Sequence, residues 1–266
     1  MEIVPPAWIL LRWEVQYLER VLDGRTHPLM LRCTQLGVNP SPVPRTLVVK
    51  ALGLPEVTRL GLICELLGNM LARDLGVLTA TPALVEIDQD TADALNMSLQ
   101  GKDLKVEPGL AVGSTFLRPL HPVVGTLPDD AATEVPRLYG FDLAIQNPDR
   151  RTSNPNCALF EEKLLAYDFE LAFSFLMVVG SAFEAWEISK HGLAAQHIFY
   201  PRLRKKNPAW RPLLASLRAL TPKRLEELIA HLPTDWQGDV QQVRTHLLSL
   251  LGALDELERE LQESVA

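Results

Sequence analysis

Three polar side chains in the middle of the chain have types and spacing that suit chemistry. Asp149 and Asn154 stand five positions apart in the stretch QNPDRRTSNPN, and Asp168 follows fourteen positions after Asn154, at the end of the apolar run LLAY. Carboxylate and amide oxygens are hard ligands of the kind that Mg²⁺ binds. A carboxylate can also orient a hydroxyl that is being phosphorylated and accept its proton. The set favours metal-assisted phosphoryl transfer, although a stretch rich in Asp, Asn and Pro is also ordinary turn chemistry.

Two upstream charges could serve the same reaction, since phosphates need a cation and an acid can hold that cation in place. Lys50 lies in the β-branched stretch RTLVVKAL, which predicts a strand over residues 45–52. Glu65 lies on a predicted helix over residues 55–75, on a face of small residues where another part of the chain can come close. The simpler interpretations are a surface lysine and a solvated helix acid, and Glu56 is a rival partner for Lys50. The small residues are Gly61, Gly68 and Ala72.

The remaining pattern predicts an α+β chain with two lobes, a small β-rich one with one long helix and a larger, mainly helical one. The boundary is expected at residue 88, giving domains 1–88 and 89–266. Residues 89–136 are rich in Gly, Pro and Asp and predict an irregular connection. Further predicted elements are strands at 28–33 and 81–88, a helix at about 131–146, a hairpin of 158–160 and 164–167, and helices after residue 180, the last over about 236–263.

Composition limits the classes of function. Apolar residues make up 47% of the 266, enough for a sizeable core, and the formal charge of −7 disfavours binding to nucleic acids or to anionic membranes. The three cysteines have neither a disulfide nor a zinc spacing, which favours a reducing, cytoplasmic location. The N-terminal residues predict neither a signal peptide nor a membrane span.

Taken in order, these motifs resemble a known family. An Asp, an Asn five positions later, a short hairpin and a second Asp resemble the protein-kinase fold. The N-x-D-R form of Asn147-Pro148-Asp149-Arg150 is similar to the HipA-like kinases and to the phosphatidylinositol kinases. More of the chain resembles the HipA-like kinases, over most of residues 20–250. The matching segments are LVVKAL, LARDLGV, TPALVEID, NPDRRTSN, the Tyr167-Asp168 corner, LTPKRLEEL and LPTDW.

The resemblance implies a nucleotide cleft between the lobes and a role for each polar residue. Lys50 would contact the phosphates of ATP, and Glu65 would pair with Lys50. Asp149 would be the catalytic base, and Asn154 and Asp168 would bind Mg²⁺. The expected activity is transfer of the γ-phosphoryl group of ATP to a hydroxyl. The family suggests a protein Ser or Thr as the acceptor, and a phosphatidylinositol or a small molecule is the alternative.

The segment Gly24-Arg25-Thr26 stands where the resemblance places the loop that covers the phosphates. It has one glycine rather than a G-x-G-x-x-G pattern, and Glu170 stands where a kinase often has glycine after Asp168-Phe169. These departures keep a second interpretation open, a pseudokinase scaffold that binds ATP or a protein partner without transfer. A helical interaction protein without a nucleotide site is a third. The resemblance also allows a protein inhibitor or an antitoxin-like partner.

Overall fold

The computed structural model of the chain describes residues 10–37, 43–123, 125–177 and 183–266. Contacts divide the chain into two units. The first unit comprises Met1–Leu66 and Ala80–Leu117, and the second comprises Leu67–Thr79 and Arg118–Ala266. The second unit therefore takes residues 67–79 from within the sequence span of the first unit. The single boundary expected at residue 88 stays a prediction.

A closed barrel forms most of the first unit, with strands in the order β1-β2-β3-β6-β5. Neighbouring strands are antiparallel except for β1 and β5, which run parallel and close the barrel. The interior is filled by apolar side chains such as Leu31, Leu47, Val49 and Val85, which are almost completely buried. The strands are β1 (Leu11–Val21), β2 (Leu29–Gln35), β3 (Arg45–Lys50), β5 (Pro82–Ile87) and β6 (Gly109–Thr115).

The expectation of an irregular connection over residues 89–136 is wrong. Helix α2 (Gln89–Ser98) begins this region, capped by Asp88, whose side chain accepts a hydrogen bond from the Thr91 backbone N–H at 2.8 Å. Strand β6 follows and lies between β3 and β5 in the barrel. Its two glycines, Gly109 and Gly113, explain why no strand was predicted here. A Cβ at Gly113 would lie 3.0 Å from Val49 Cγ2, so close packing in the barrel favours glycine there.

Helix α1 (Arg59–Asp74) starts four residues later than residue 55, where the sequence predicted its start. Thr58 precedes it, and its hydroxyl accepts a hydrogen bond from the backbone N–H of Gly61 at 3.0 Å, as an N-cap residue does. Gly76 follows the helix with a φ of +78°, the left-handed conformation that glycine adopts at little cost. The residues of α1 up to Leu66 belong to the first unit, and those from Leu67 onward belong to the second.

A small sheet in the second unit carries the predicted hairpin. Its strands lie in the order β4-β9-β8-β7, and β8 and β9 pair antiparallel through the turn at Glu161 and Glu162. Helix α3 (Asp129–Ala144) packs against β9. The strands are β4 (Leu78–Thr79), β7 (His121–Pro122), β8 (Cys157–Phe160) and β9 (Lys163–Ala166).

The C-terminal part is helical, as the sequence predicted. The expected last helix over 236–263 is, however, two helices separated at Gly252 and Ala253. None of the helices in the described ranges has the length and apolar character needed to span a bilayer. The helices are α4 (Tyr200–Leu203), α5 (Arg211–Ala219), α6 (Pro222–Ala230), α7 (Gln241–Leu251) and α8 (Leu254–Glu263).

Candidate functional site

Lys50 and Glu65 form an ion pair within the first unit. The Lys50 Nζ lies 3.1 Å from Glu65 Oε2, and the two side chains are only 10% and 13% exposed. Lys50 is the last residue of β3, and Glu65 lies on α1. A cation held on a strand by an acid on a helix is the arrangement that phosphate binding in a kinase requires. The structure thus places these two predicted residues together.

The segment Gly24-Arg25-Thr26 lies in the turn between β1 and β2. Gly24 has a φ of +138°, and its carbonyl accepts a hydrogen bond from the His27 backbone N–H at 3.3 Å. Arg25 pairs with Glu56, with Nε 2.8 Å from Oε2, and both side chains are more than half exposed. The pairing with Arg25 gives Glu56, the rival partner considered for Lys50, a different cation. Thr26 is buried.

Asp149 and Asn154 meet in a tight loop in the second unit. The Asn154 amide nitrogen donates to Asp149 Oδ2 at 2.8 Å. The loop is closed by reciprocal backbone hydrogen bonds between Arg151 and Asn154, at 2.9 and 3.1 Å. Because the amide nitrogen of Asn154 is directed to Asp149, its Oδ1 is the atom available to a metal. Asn154 is exposed and Asp149 is partly buried, so the loop is accessible to a ligand.

The loop rests on a buried charged network that the sequence analysis did not identify. The guanidinium of Arg150 donates to both carboxylate oxygens of Asp142, at 2.6 and 3.3 Å. His197 Nε2 lies 3.0 Å from Asp142 Oδ2. Its Nδ1 accepts from the Phe199 backbone N–H at 3.1 Å, which assigns the ring proton to Nε2 in the neutral form. All three charged or titratable side chains are almost completely buried.

The protonation states of the network follow from its geometry. Burial acts to raise the pKa of Asp142, but the adjacent Arg150 charge and the His197 hydrogen bond outweigh it and lower that pKa. Burial acts to lower the pKa of Arg150, but the Asp142 carboxylate outweighs it and raises that pKa. Burial lowers the pKa of His197 by more than Asp142 raises it. The network is therefore an ionised Asp–Arg pair beside a neutral histidine.

Arg150 also connects the loop to the strand end that carries Asp168. Its Nη1 donates to the backbone carbonyl of Asn156 and, at 3.3 Å, to that of Tyr167. The Tyr167 backbone N–H in turn donates to the Asn156 carbonyl at 3.0 Å. The residue after Tyr167 is Asp168, which has a φ of +62°. The structure thus joins the Asp149 loop and the Asp168 corner through shared hydrogen bonds.

Phe169 anchors the corner on its other side. Its side chain is completely buried. The guanidinium of Arg150 lies over the ring at 5.3 Å from the centroid, and the Phe141 ring meets it edge-on at 6.1 Å. A Cβ at Gly68 would lie only 2.7 Å from Phe169 Cβ. The small-residue face predicted on α1 is therefore, at Gly68, a packing surface for Phe169.

The donor set of the Asp149 loop and the Asp168 corner suits Mg²⁺. Within the described ranges, no group of three His, Cys, Asp or Glu side chains is arranged to hold a metal by itself. Mg²⁺ in nucleotide enzymes commonly takes one or two protein oxygens and completes its shell with water and phosphate oxygens. An Asn154 amide oxygen and an Asp168 carboxylate are consistent with that type of site.

Four residues with a clear part in this arrangement were missed: Asp142, Arg150, Asn156 and His197. Asp142 is an isolated acidic residue within an apolar helical segment, and the local sequence does not indicate which residue it pairs with. Arg150 was interpreted only as part of the N-x-D-R motif. His197 is 55 positions away from Asp142, and no local pattern indicates that the two meet. Asn156 follows Asn154 in the same polar stretch, so the N-P-N repetition was the one available signal.

Comparison with solved structures identifies the fold. The crystal structure of the Golgi casein kinase matches with a TM-score of 0.50 and 11% sequence identity, over 95% of this chain and 73% of that one. The Helicobacter pylori proinflammatory kinase CtkA gives a TM-score of 0.48 and 11% identity, over 96% of each chain. The likeness to the Golgi casein kinase confirms the predicted α+β, two-lobed, protein-kinase-like fold. No curated protein matches the sequence.

Comparison of the sequence with models of protein families identifies the family. The family model described as HipA-like kinase matches residues 16–264, which includes the barrel, the Asp149 loop, the Asp168 corner and the C-terminal helices. This match confirms the resemblance found from the motifs and supports kinase-like phosphotransfer. The chain belongs to the HipA-like kinases.

Proposed function

We propose that this HipA-like kinase transfers the γ-phosphoryl group of Mg-ATP to the hydroxyl of a protein Ser or Thr. The acceptor oxygen forms a bond to the γ-phosphorus while the bond from that phosphorus to the β–γ bridging oxygen breaks. ADP leaves with the electron pair of the broken bond, and the hydroxyl proton passes to a carboxylate. The roles of the residues follow from the contacts described above and from the family.

The hydrogen bonding of Asp149 is the observation that carries the proposal. Its Oδ2 accepts from Asn154, while Oδ1 accepts no hydrogen bond from the described residues. Oδ1 is therefore the oxygen that can orient the acceptor hydroxyl and take its proton. A general base needs such an accessible oxygen on a carboxylate that is otherwise fixed.

The other predicted residues act on the nucleotide. Lys50, held by Glu65, binds phosphate oxygens as a positive charge, and the turn at Gly24-Arg25-Thr26 covers them. Asn154 and Asp168 hold the metal. When bound, Mg²⁺ neutralises phosphate charge and favours departure of ADP.

Two further proposals concern the partners of the protein and its location in the cell. A protein acceptor, and an inhibitor or antitoxin-like partner, are proposed on family grounds alone. A reducing, cytoplasmic location is proposed because Cys33, Cys64 and Cys157 are unpaired and buried.

Thermal unfolding against ATP concentration, with and without Mg²⁺, tests the metal site. ATP at about one hundred times its dissociation constant stabilises the fold by roughly 2.7 kcal/mol, which raises the unfolding temperature by about 5–10 °C for a chain of this size. We expect a magnesium-dependent shift in the wild type and in the control Asp255→Ala, whose carboxylate is 91% exposed. The shift should be lost in Asp168→Ala. An equal shift in Asp168→Ala would remove this residue from the metal site.

A pseudokinase is the second candidate, favoured by the single glycine in the phosphate-covering turn. Asp149→Ala separates the two functions in an assay of labelled phosphate transfer from γ-labelled ATP to a mixture of Ser- and Thr-containing peptides. Transfer by the wild type that Asp149→Ala abolishes, with the ATP-dependent thermal shift retained, establishes the kinase. ATP binding without transfer by either protein would favour the scaffold.

A further inference from the structure

Asn156 has an unusual combination of burial and backbone conformation. It is 5% exposed, and its φ of +45° lies in the left-handed region, where most side chains are strained and Asn is tolerated better than most. A buried polar side chain in such a conformation indicates that its neighbours fix it. Its surroundings show which neighbours do so.

The backbone of Asn156 is held by two donors. Its carbonyl accepts from the guanidinium of Arg150 and from the backbone N–H of Tyr167, the latter at 3.0 Å. Arg150 is itself fixed by the buried Asp142. The backbone of Asn156 is therefore anchored to rigid, buried groups, and this anchoring sets the direction of its side chain.

The side chain of Asn156 ends on the proposed catalytic base. Its amide nitrogen donates to Asp149 Oδ2 at 3.0 Å, and Asn154 donates to the same oxygen at 2.8 Å. Two donors on one oxygen restrain the carboxylate more than one donor does, because rotation about the side-chain torsions of Asp149 would break both bonds. Pro155 stands between the two asparagines, and its ring fixes one backbone torsion of the step that joins them.

We infer that Asn156 is a positioning residue for phosphoryl transfer, which holds the Asp149 carboxylate so that Oδ1 faces the acceptor hydroxyl. This inference rests on the proposed function. The two asparagines have different roles, because Asn154 is exposed and holds the metal, whereas Asn156 is buried and acts only through Asp149. Loss of the Asn156 side chain should therefore lower kcat and leave the binding of ATP and Mg²⁺ unchanged.

The variant Asn156→Gly isolates the side chain from the backbone. Glycine adopts a positive φ at no steric cost, so the carbonyl that Arg150 and Tyr167 contact stays in place while the amide donor is removed. Glu161→Gly is the matched control. Glu161 is exposed, has a φ of +49° and lies in the turn between β8 and β9, a few residues after Asn156. The control variant gives the unfolded chain the same added conformational entropy as Asn156→Gly does, and it leaves the contacts of Asp149 unchanged.

The experiment measures kcat, the KM for ATP, the Mg²⁺ concentration for half-maximal rate and the unfolding temperature. The probe is γ-labelled ATP with the mixture of Ser- and Thr-containing peptides. For Asn156→Gly we expect kcat to fall about tenfold to a hundredfold, as a displaced catalytic group does. The KM for ATP and the Mg²⁺ dependence should stay at wild-type values. Asn154→Ala should lower kcat and also raise the Mg²⁺ requirement, because Asn154 is both the other donor to Asp149 Oδ2 and a proposed metal ligand. Glu161→Gly should match the wild type in kcat.

Other results would overturn the inference. A wild-type kcat in Asn156→Gly would show that the second amide does not matter, and a raised Mg²⁺ requirement would make Asn156 a metal ligand. If Asn156→Gly and Glu161→Gly lost the same amount of activity and showed the same fall in unfolding temperature, the role of Asn156 would be structural. A wild type that transfers no phosphate would refute the proposed function, and the inference with it, whereas the first three results leave the proposed function standing.

Discussion

The ammonium of Lys50 lies 3.1 Å from the carboxylate of Glu65, and both groups are shielded from most solvent. A hydrogen bond to a charged group of this kind contributes about 1.5–3 kcal/mol. Glu65→Ala should therefore reduce kcat/KM for ATP by roughly tenfold to a hundredfold if the pair holds Lys50 toward phosphate. Steady-state kinetics at fixed Mg²⁺ measure the effect.

Glu56→Ala provides the comparison for this prediction. Glu56 pairs with Arg25, and both side chains are largely exposed, so screening by solvent makes that pair weak. We expect a change in kcat/KM much smaller than in Glu65→Ala. Equal losses in the two variants would mean that the Lys50–Glu65 pair has no special role.

The Asp142–Arg150 pair should be a major determinant of stability. Removal of one partner leaves the other charge buried, so Asp142→Ala should cost about 3–5 kcal/mol of unfolding free energy. The unfolding temperature should fall by roughly 6–20 °C, and calorimetry measures the fall. Asp255→Ala breaks only the exposed pair with Arg218 and should melt as the wild type does. A similar melt for Asp142→Ala would contradict the buried network.

His197 should make the fold less stable in mild acid. Its folded pKa lies below the ordinary value because the ring is buried, so the unfolded chain takes up the proton at a higher pH than the folded chain. The free energy of unfolding should therefore decrease as the pH falls below about 6.5, by up to roughly 1.4 kcal/mol per pH unit for one group.

Urea unfolding between pH 7 and pH 5 checks the sign. His197→Gln should lower the pH dependence by about one proton, although His191 and His246, whose pKa values are also lowered by burial, retain part of it. A slope that His197→Gln leaves unchanged would show that this histidine is not buried in its neutral form.

Gly68→Ala should destabilise the second unit. The new methyl group would meet Phe169 Cβ at 2.7 Å, closer than real side chains approach. Overpacking of this kind costs about 1–3 kcal/mol. Gly238→Ala is the control, because a Cβ there meets nothing within 4 Å. Urea unfolding of both variants measures the difference, and an unperturbed Gly68→Ala would show that Phe169 can shift.

The polar residues of the site could be proposed from the sequence because their spacing is local. Asp149 and Asn154 are five positions apart, and the loop that joins them determines their contact. The partner of Lys50 was a choice between Glu65 and Glu56, and the small-residue face around Glu65 favoured the first. Asp142 and His197 are separated by 55 positions, and no local pattern indicates that they meet.

The prediction of the strands was limited in the same way, because it relied on local sequence patterns. Strands β2, β3 and β5 are rich in apolar residues and were predicted near their observed positions. Strand β1 alternates apolar and charged residues, and β6 contains glycines, so neither has the apolar run that was used as the signal. The demand for glycine at Gly113 comes from Val49 and Val85 on neighbouring strands, which is information about the assembled barrel rather than about the segment.

The packing of Phe169 bears on how such an enzyme is regulated. The ring is enclosed by the Arg150 guanidinium, the Phe141 ring and the Gly68 backbone. For the Asp168 corner to invert, this ring would have to leave its site, which would expose a large apolar surface and the buried charge of Arg150. We therefore expect the Asp168 corner to keep this conformation, so that regulation of the enzyme would not act through inversion of the corner.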